Sequence, residues 1–144
     1  MAPNKPVKVH SPDGLQMPMF SQAIEYNGLV YVSGNIGYDN KTLTPVGVGV
    51  ADHTRQILKN IQIVLRAAGC SKPSGGLSNI IKANVFLTDM KDFSALNGAW
   101  VEVLTAAQKE DGLIGEGQEA VMPARTCVQV AALPFGTDVS TESP

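Results

Sequence analysis

Ala23-Ile24-Glu25-Tyr26-Asn27-Gly28-Leu29-Val30-Tyr31-Val32-Ser33 is the stretch on which the reading of the fold turns. Two β-rich runs flank Asn27-Gly28, a pair whose tolerance of positive φ suits a two-residue type I′ turn. A β-hairpin is therefore predicted here. Upstream, residues 1–19 carry prolines at 3, 6, 12 and 18. Most of that arm should be irregular, with Val7 to His10 as a short edge strand. Downstream, Gly34-Asn35-Ile36-Gly37 ends the second strand and Asp39-Asn40-Lys41-Thr42 turns the chain.

The remaining elements follow from hydrophobic period. Ile57, Leu58, Ile61, Val64, Leu65 and Ala68 fall on one helical face, which predicts a helix from about Gly49 or Val50 to Ala68, with Gly69 as its stop. Residues 70–78 hold Pro73, Gly75, Gly76 and three serines, so they read as a loop. Residues 80–87 read as a strand in which Lys82 and Asn84 alternate with apolar neighbours. A second helix is predicted from a cap at Asp89 or Asp92 to about Lys109, with Phe93, Leu96, Trp100, Val103, Leu104 and Ala107 as its stripe. A loop at 111–121 leads to a strand from Arg125 to Ala132, and the tail has room for a short last strand.

This order predicts an α+β fold: one domain over residues 1–144, with a single β-sheet and two helices packed on one face. Such a sheet has a second face, and the alternating apolar residues of 29–32 and 128–132 belong to it. Self-association about a symmetry axis is the simplest cover.

Composition bounds the function. Hydrophobic residues make up 44% of the 144, charged residues 17%, and the formal net charge is −2. Eleven scattered Lys and Arg side chains form no electrostatic footprint for nucleic acid. Cys70 and Cys127 match neither a disulfide framework nor a metal-binding CxxC. The N-terminus lacks the apolar core of a secretory signal and the arginine-rich character of a transit peptide. No apolar run approaches the roughly 20 residues of a membrane span, so a cytoplasmic protein is expected.

The chemistry centres on Met122-Pro123-Ala124-Arg125-Thr126-Cys127-Val128-Gln129-Val130. A lone cation enters an apolar run, where burial is costly unless the charge is paired. Two readings stand: Arg125 holds an anionic ligand, or it faces solvent or pairs with a structural carboxylate. No P-loop, GxGxxG, HExxH or GxSxG is present, and the only histidines, His10 and His53, are isolated in sequence and are not read as catalytic. No acidic cluster suggests a metal.

Five segments carry a resemblance: Phe20-Ser21-Gln22-Ala23; Val32-Ser33-Gly34-Asn35; the helix end from Asn60-Ile61 to Ala68-Gly69; Val85-Phe86-Leu87-Thr88-Asp89 to Asn97; and Pro123-Ala124-Arg125-Thr126-Cys127-Val128 to Leu133-Pro134. In this order and spacing the chain resembles the RidA (YjgF) family, also called endoribonuclease L-PSP. The resemblance implies a chorismate-mutase-like fold, a homotrimer with three clefts between subunits, and hydrolysis of reactive enamines and imines to 2-keto acids and ammonia. It implies no cofactor and a small carboxylated metabolite as the partner.

Carried over by position, Arg125 would clamp the substrate carboxylate through two parallel hydrogen bonds. Ser33 would orient water or substrate beside the Gly34 backbone, Cys127 would present its backbone or thiol, and Asn97 would border the pocket. Cys127 also reads as a small apolar filler, Asn97 as a helix-surface amide, and Trp100 as core or interface. Phe20 stands where deaminating members commonly have tyrosine, and Asn35 where glutamine is usual. Counting from Leu133-Pro134 places Ser140 at the position of the family's glutamate and leaves a shortened final strand. Glu142, two residues on, keeps the same strand facing and would be the substitute carboxylate if the tail bends inward.

Three functions are therefore weighed. The first is an imine/enamine deaminase. The second is a divergent member with altered or lost deaminase activity that binds a carboxylated metabolite or processes a reactive intermediate in a dedicated biosynthetic pathway. The third, disfavoured by the acidic balance and the missing histidine pair, is a ribonuclease or translation inhibitor.

Overall fold

The computed structural model describes residues 4–143. Strand β1 (Val7–Val9) is an edge strand, antiparallel to β2 (Ala23–Tyr26). β2 turns into β3 (Leu29–Ile36) through Asn27 at φ 51° and Gly28 at φ 78°. Both lie in the left-handed region that a type I′ turn requires and that Asn and Gly accept at least cost.

Helix α1 (Gly49–Ala67) ends as its sequence predicts. The Gly69 N–H donates to Arg66 O and the Cys70 N–H to Leu65 O, with Gly69 at φ 100°, so a Schellman turn closes the helix. β4 (Lys82–Leu87) begins two residues later than the apolar run suggests. Residues Leu77–Asn79 form a 3₁₀ turn onto which the Ile80 N–H closes, and Ile81 is 60% exposed. Helix α2 (Phe93–Glu110) follows a second 3₁₀ turn, Met90–Asp92. Of the two predicted caps, Asp89 accepts from the Lys91 N–H at 2.9 Å, whereas Asp92 makes no capping bond.

β5 (Ala124–Gln129) runs parallel to β4 and stops short of the predicted Ala132. Its partner ends at Leu87, whose carbonyl takes the Val130 N–H, and beyond that point β4 offers no further strand backbone. The largest difference is the last strand. β6 (Val139–Ser143) lies in the middle of the sheet, antiparallel to both β3 and β4, in the order β1-β2-β3-β6-β4-β5.

Register assigns the faces. Ala83, Val85 and Leu87 of β4 and Val139 and Thr141 of β6 point to one side, where they meet Ile57, Leu58 and Ile61 of α1 and Leu96 and Leu104 of α2. Arg125 and Cys127, opposite Ala83 and Val85 in the parallel register, share that helix side. Phe86, Ser140, Asn84 and Glu142 point the other way, beside exposed Tyr31 and Val128.

The N-terminal arm is irregular but fastened. The Gln22 side chain accepts from the Ser11 N–H at 2.8 Å and donates to Ser11 O at 3.0 Å and Leu15 O at 3.1 Å. These bonds set Leu15, Met17 and Phe20 against the open face of β3 and β6.

Candidate active site

Arg125 is half-buried at the edge of the helix layer. Its Nη2 donates to Asn97 Oδ1 at 2.6 Å. The guanidinium carbon lies 5.7 Å from the Phe93 ring centroid and 5.5 Å from that of Trp100. Phe93, Asn97 and Trp100 are spaced i, i+4 and i+7 on α2, so one helix face supplies two π surfaces and an amide to one cation. Among the described residues no carboxylate lies within ion-pair distance of Arg125. Its charge is oriented without being neutralised, and its remaining N–H groups are available for an anion.

Cys127 follows two residues later on the same side of β5. Burial pushes its thiol above the ordinary 9.0, against the smaller opposing pull of Arg125. At neutral pH it is a protonated thiol and a poor nucleophile.

The second group of residues lies elsewhere in the chain. Phe20, Ser33, Gly34, Ser140 and Glu142 line a cavity of about 370 Å³ on the open side of the sheet. Ser33 Oγ donates to Ser21 O at 2.6 Å, so its proton is committed and the hydroxyl is left as an acceptor at the cavity wall. Asn84 Nδ2 donates to Glu142 Oε1 at 3.2 Å, which orients one carboxylate oxygen and leaves the other. Ser140 and Glu142 line the same cavity, as a two-residue spacing in a strand demands.

These two groups do not meet within one chain. β6 and β4 separate β3 from β5, a span of roughly 14 Å at ordinary strand spacing. Arg125, Asn97 and Cys127 also occupy the opposite face from Ser140 and Glu142. An oriented guanidinium and a carboxylate-bearing pocket are thus built on two sides of one small sheet.

The family model described as endoribonuclease L-PSP matches residues 15–142. The chain belongs to the RidA family. A "2-iminobutanoate/2-iminopropanoate deaminase" from Mus musculus is 33% identical over 124 residues, covering 86% of this chain and 78% of that protein. "Protein mmf1, mitochondrial" from Schizosaccharomyces pombe is 38% identical over 129 residues, 90% of this chain and 67% of that protein. The crystal structure of RidA from a Psychrobacter species superposes with a TM-score of 0.73 at 33% identity, covering 95% of this chain and 96% of that one. The six-stranded mixed sheet with two helices is the fold shared with these RidA structures. No helix among the described residues is long and apolar enough to cross a membrane.

Several residues around these two groups were not read as site residues from sequence. Phe93 and Trp100 read as ordinary members of a core stripe, yet their i, i+7 spacing about Asn97 marks the face that receives a cation. Asn84 gave no signal, because its role depends on the register of β4 with β6. Ile36 and Phe135 also line the cavity. His53 holds Asp138 through Nδ1 at 2.7 Å, tying α1 to the start of β6. A separate cavity of about 270 Å³ lies between α1 and α2, but its Arg55 is already paired with Glu102 and Asp52.

Proposed function

We propose that this protein hydrolyses 2-imino acids and their enamine tautomers to 2-keto acids and ammonia, in a homotrimer whose sites form between adjacent copies. The observation that carries the reading is Arg125, a guanidinium fixed by Asn97 and two aromatic rings yet unpaired with any carboxylate among the described residues. A planar guanidinium with free donors matches a carboxylate in bidentate geometry. The deaminase activity named for the Mus musculus relative supplies the reaction class.

In this reading Arg125 of one copy binds the carboxylate at the mouth of the neighbour's pocket. The exposed sheet face bearing Tyr31 and Val128 becomes the contact between copies. Glu142 takes a proton from water as the water oxygen attacks the imine carbon. Glu142 passes that proton to the nitrogen, giving the carbinolamine. It then takes the hydroxyl proton as the C=O bond forms and delivers it to the nitrogen as the C–N bond breaks, so ammonia leaves and Glu142 is again a carboxylate. Ser33, an acceptor because its proton bonds Ser21 O, orients the imine N–H or the attacking water. The Gly34 backbone and Cys127 border the site, and the chemistry requires no cofactor.

Freshly generated 2-iminopropanoate should release ammonia faster with the wild-type protein than without it, and Arg125→Ala should return the rate to background. Equal rates for wild type and variant at the uncatalysed level would eliminate the proposal. A second reading, carboxylate binding with altered or lost hydrolysis, draws on Phe20, which places a ring without a hydroxyl in the pocket. It predicts keto-acid binding abolished by Arg125→Ala, with no ammonia release from any imine tested.

A further inference from the structure

Phe135 has a backbone conformation that its side chain disfavours. Its φ is 58° and ψ 16°, in the left-handed region, and Gly136 follows at φ 69°. A bulky residue there is an outlier, and such strain persists only where the surroundings enforce it. The turn is fixed by the Gly136 N–H donating to Leu133 O and the Thr137 N–H to Pro134 O, and Tyr38 braces it: its hydroxyl donates to Phe135 O at 3.1 Å, and the two rings lie 5.7 Å apart at 32°. Core burial is not the compensation, because Phe135 remains 58% exposed. Its side chain instead joins Phe20, Ile36, Met17 and Leu15 along the wall of the 370 Å³ cavity that Ser33 and Glu142 line.

That wall is larger and more apolar than a methyl or ethyl group requires. The carboxylate and imine ends of a 2-imino acid account for the polar residues of the site. The five apolar side chains are left facing whatever the substrate carries on its third carbon. Two of them are aromatic, and aromatic faces receive another ring or a branched aliphatic chain by offset or edge contacts.

We propose that Phe135, with Phe20 and Ile36, forms a side-chain subsite that selects 2-imino acids bearing an aromatic or long aliphatic group over alanine-sized ones. The proposal rests on the deaminase reading for where the carboxylate sits, and adds what fills the far end of the pocket. Phe135 is the specificity-determining residue because its ring, set against Tyr38, stands at the cavity edge. A single methylene in an apolar pocket is worth roughly 10- to 200-fold in discrimination. A preference of at least about tenfold for the larger acids is therefore expected.

The test uses the non-reacting 2-keto acid products as ligands. Isothermal titration compares pyruvate, 4-methyl-2-oxopentanoate and phenylpyruvate on wild type, Phe135→Asn and Phe135→Leu. Asparagine accepts positive φ, so it removes the ring without adding backbone strain. Wild type should bind the two larger acids at least about tenfold tighter than pyruvate. Phe135→Asn should shrink that ratio at least about fivefold, and Phe135→Leu should keep the preference for the aliphatic acid. Equal affinity for all three acids, no binding of any, or an unchanged ratio in Phe135→Asn would overturn the subsite. Ammonia release assayed in parallel separates the two claims. Size-selective binding without hydrolysis keeps the subsite and removes the deaminase reading, whereas hydrolysis without size selection does the reverse.

Discussion

Arg125 and Asn97 are joined by a charge-assisted hydrogen bond of 2.6 Å, in which the amide oxygen orients the guanidinium without cancelling its charge. The distinction between amide and carboxylate at this position is testable. Asn97→Asp is nearly isosteric but pairs with the arginine, so a substrate carboxylate must compete with it. A charged hydrogen bond is worth about 1.5–3 kcal/mol, which corresponds to KM for 2-iminopropanoate rising about 10- to 160-fold. Circular dichroism should show the fold retained. Undiminished keto-acid affinity in Asn97→Asp would mean that the anion binds elsewhere.

Ser140 and Glu142 share the cavity, and only the carboxylate is a competent base near neutral pH. Glu142→Gln keeps an oxygen for Asn84 to donate to and preserves the shape of the pocket. The turnover rate should fall about 10²- to 10⁴-fold, the usual contribution of a general base, while keto-acid binding persists. Ser140→Ala should lose far less than that. Were the serine variant the more damaged of the two, the base would have to be sought at Ser140 and the water it holds.

Much of the fold was legible because local chemistry dictates it. Asn27-Gly28 specified its turn, and the stripe from Ile57 to Leu65 specified α1. The place of β6 was not, because Val139-Ser-Thr-Glu-Ser143 has almost no hydrophobic alternation. Thr141 is 1% exposed because its place between β3 and β4 turns it to the helix layer, not because of its own character. Arg125 was legible as a cation in an apolar run. That it faces the helix layer while Glu142 faces the other side follows from parallel register with β4, which no local pattern encodes. Phe135 carries no sequence signal, because a bulky residue in the left-handed region and its contact with Tyr38, far away in the chain, are set by tertiary structure.

Asp111 ties the 70–78 loop to the end of α2. It accepts from the Ser74 N–H at 2.8 Å, from Ser74 Oγ at 2.5 Å and from Ser78 Oγ. Burial alone would raise its pKa, but the bonds from Ser74 and Ser78 outweigh that and hold it below the ordinary 3.8. The folded state therefore binds this proton less readily than the unfolded chain. The stabilisation is complete above the unfolded value and is lost as pH falls through the folded one. Asp111→Ala leaves the buried Ser74 groups unpaired and should cost about 1–3 kcal/mol in urea unfolding at pH 7. The gap between variant and wild type should narrow below pH 4; a constant gap down to pH 2 would assign the loss to packing.

The separation of Arg125 from Glu142 across the sheet makes a sharper demand on the assembly. If each site takes its arginine from one copy and its glutamate from the next, Arg125→Ala and Glu142→Gln homotrimers are both inactive for different reasons. Co-expressed chains would mix, and an Arg125→Ala copy beside a Glu142→Gln copy then contributes the intact glutamate while its neighbour contributes the intact arginine. With random assembly, about a quarter of the sites regain both groups, so roughly a quarter of wild-type ammonia release should return. Light scattering should report three times the chain mass for every preparation. Mixing the two purified homotrimers without subunit exchange should restore nothing, which controls for trace wild-type protein. A site completed within one chain predicts no recovery from co-expression, since every chain would carry one of the two lesions.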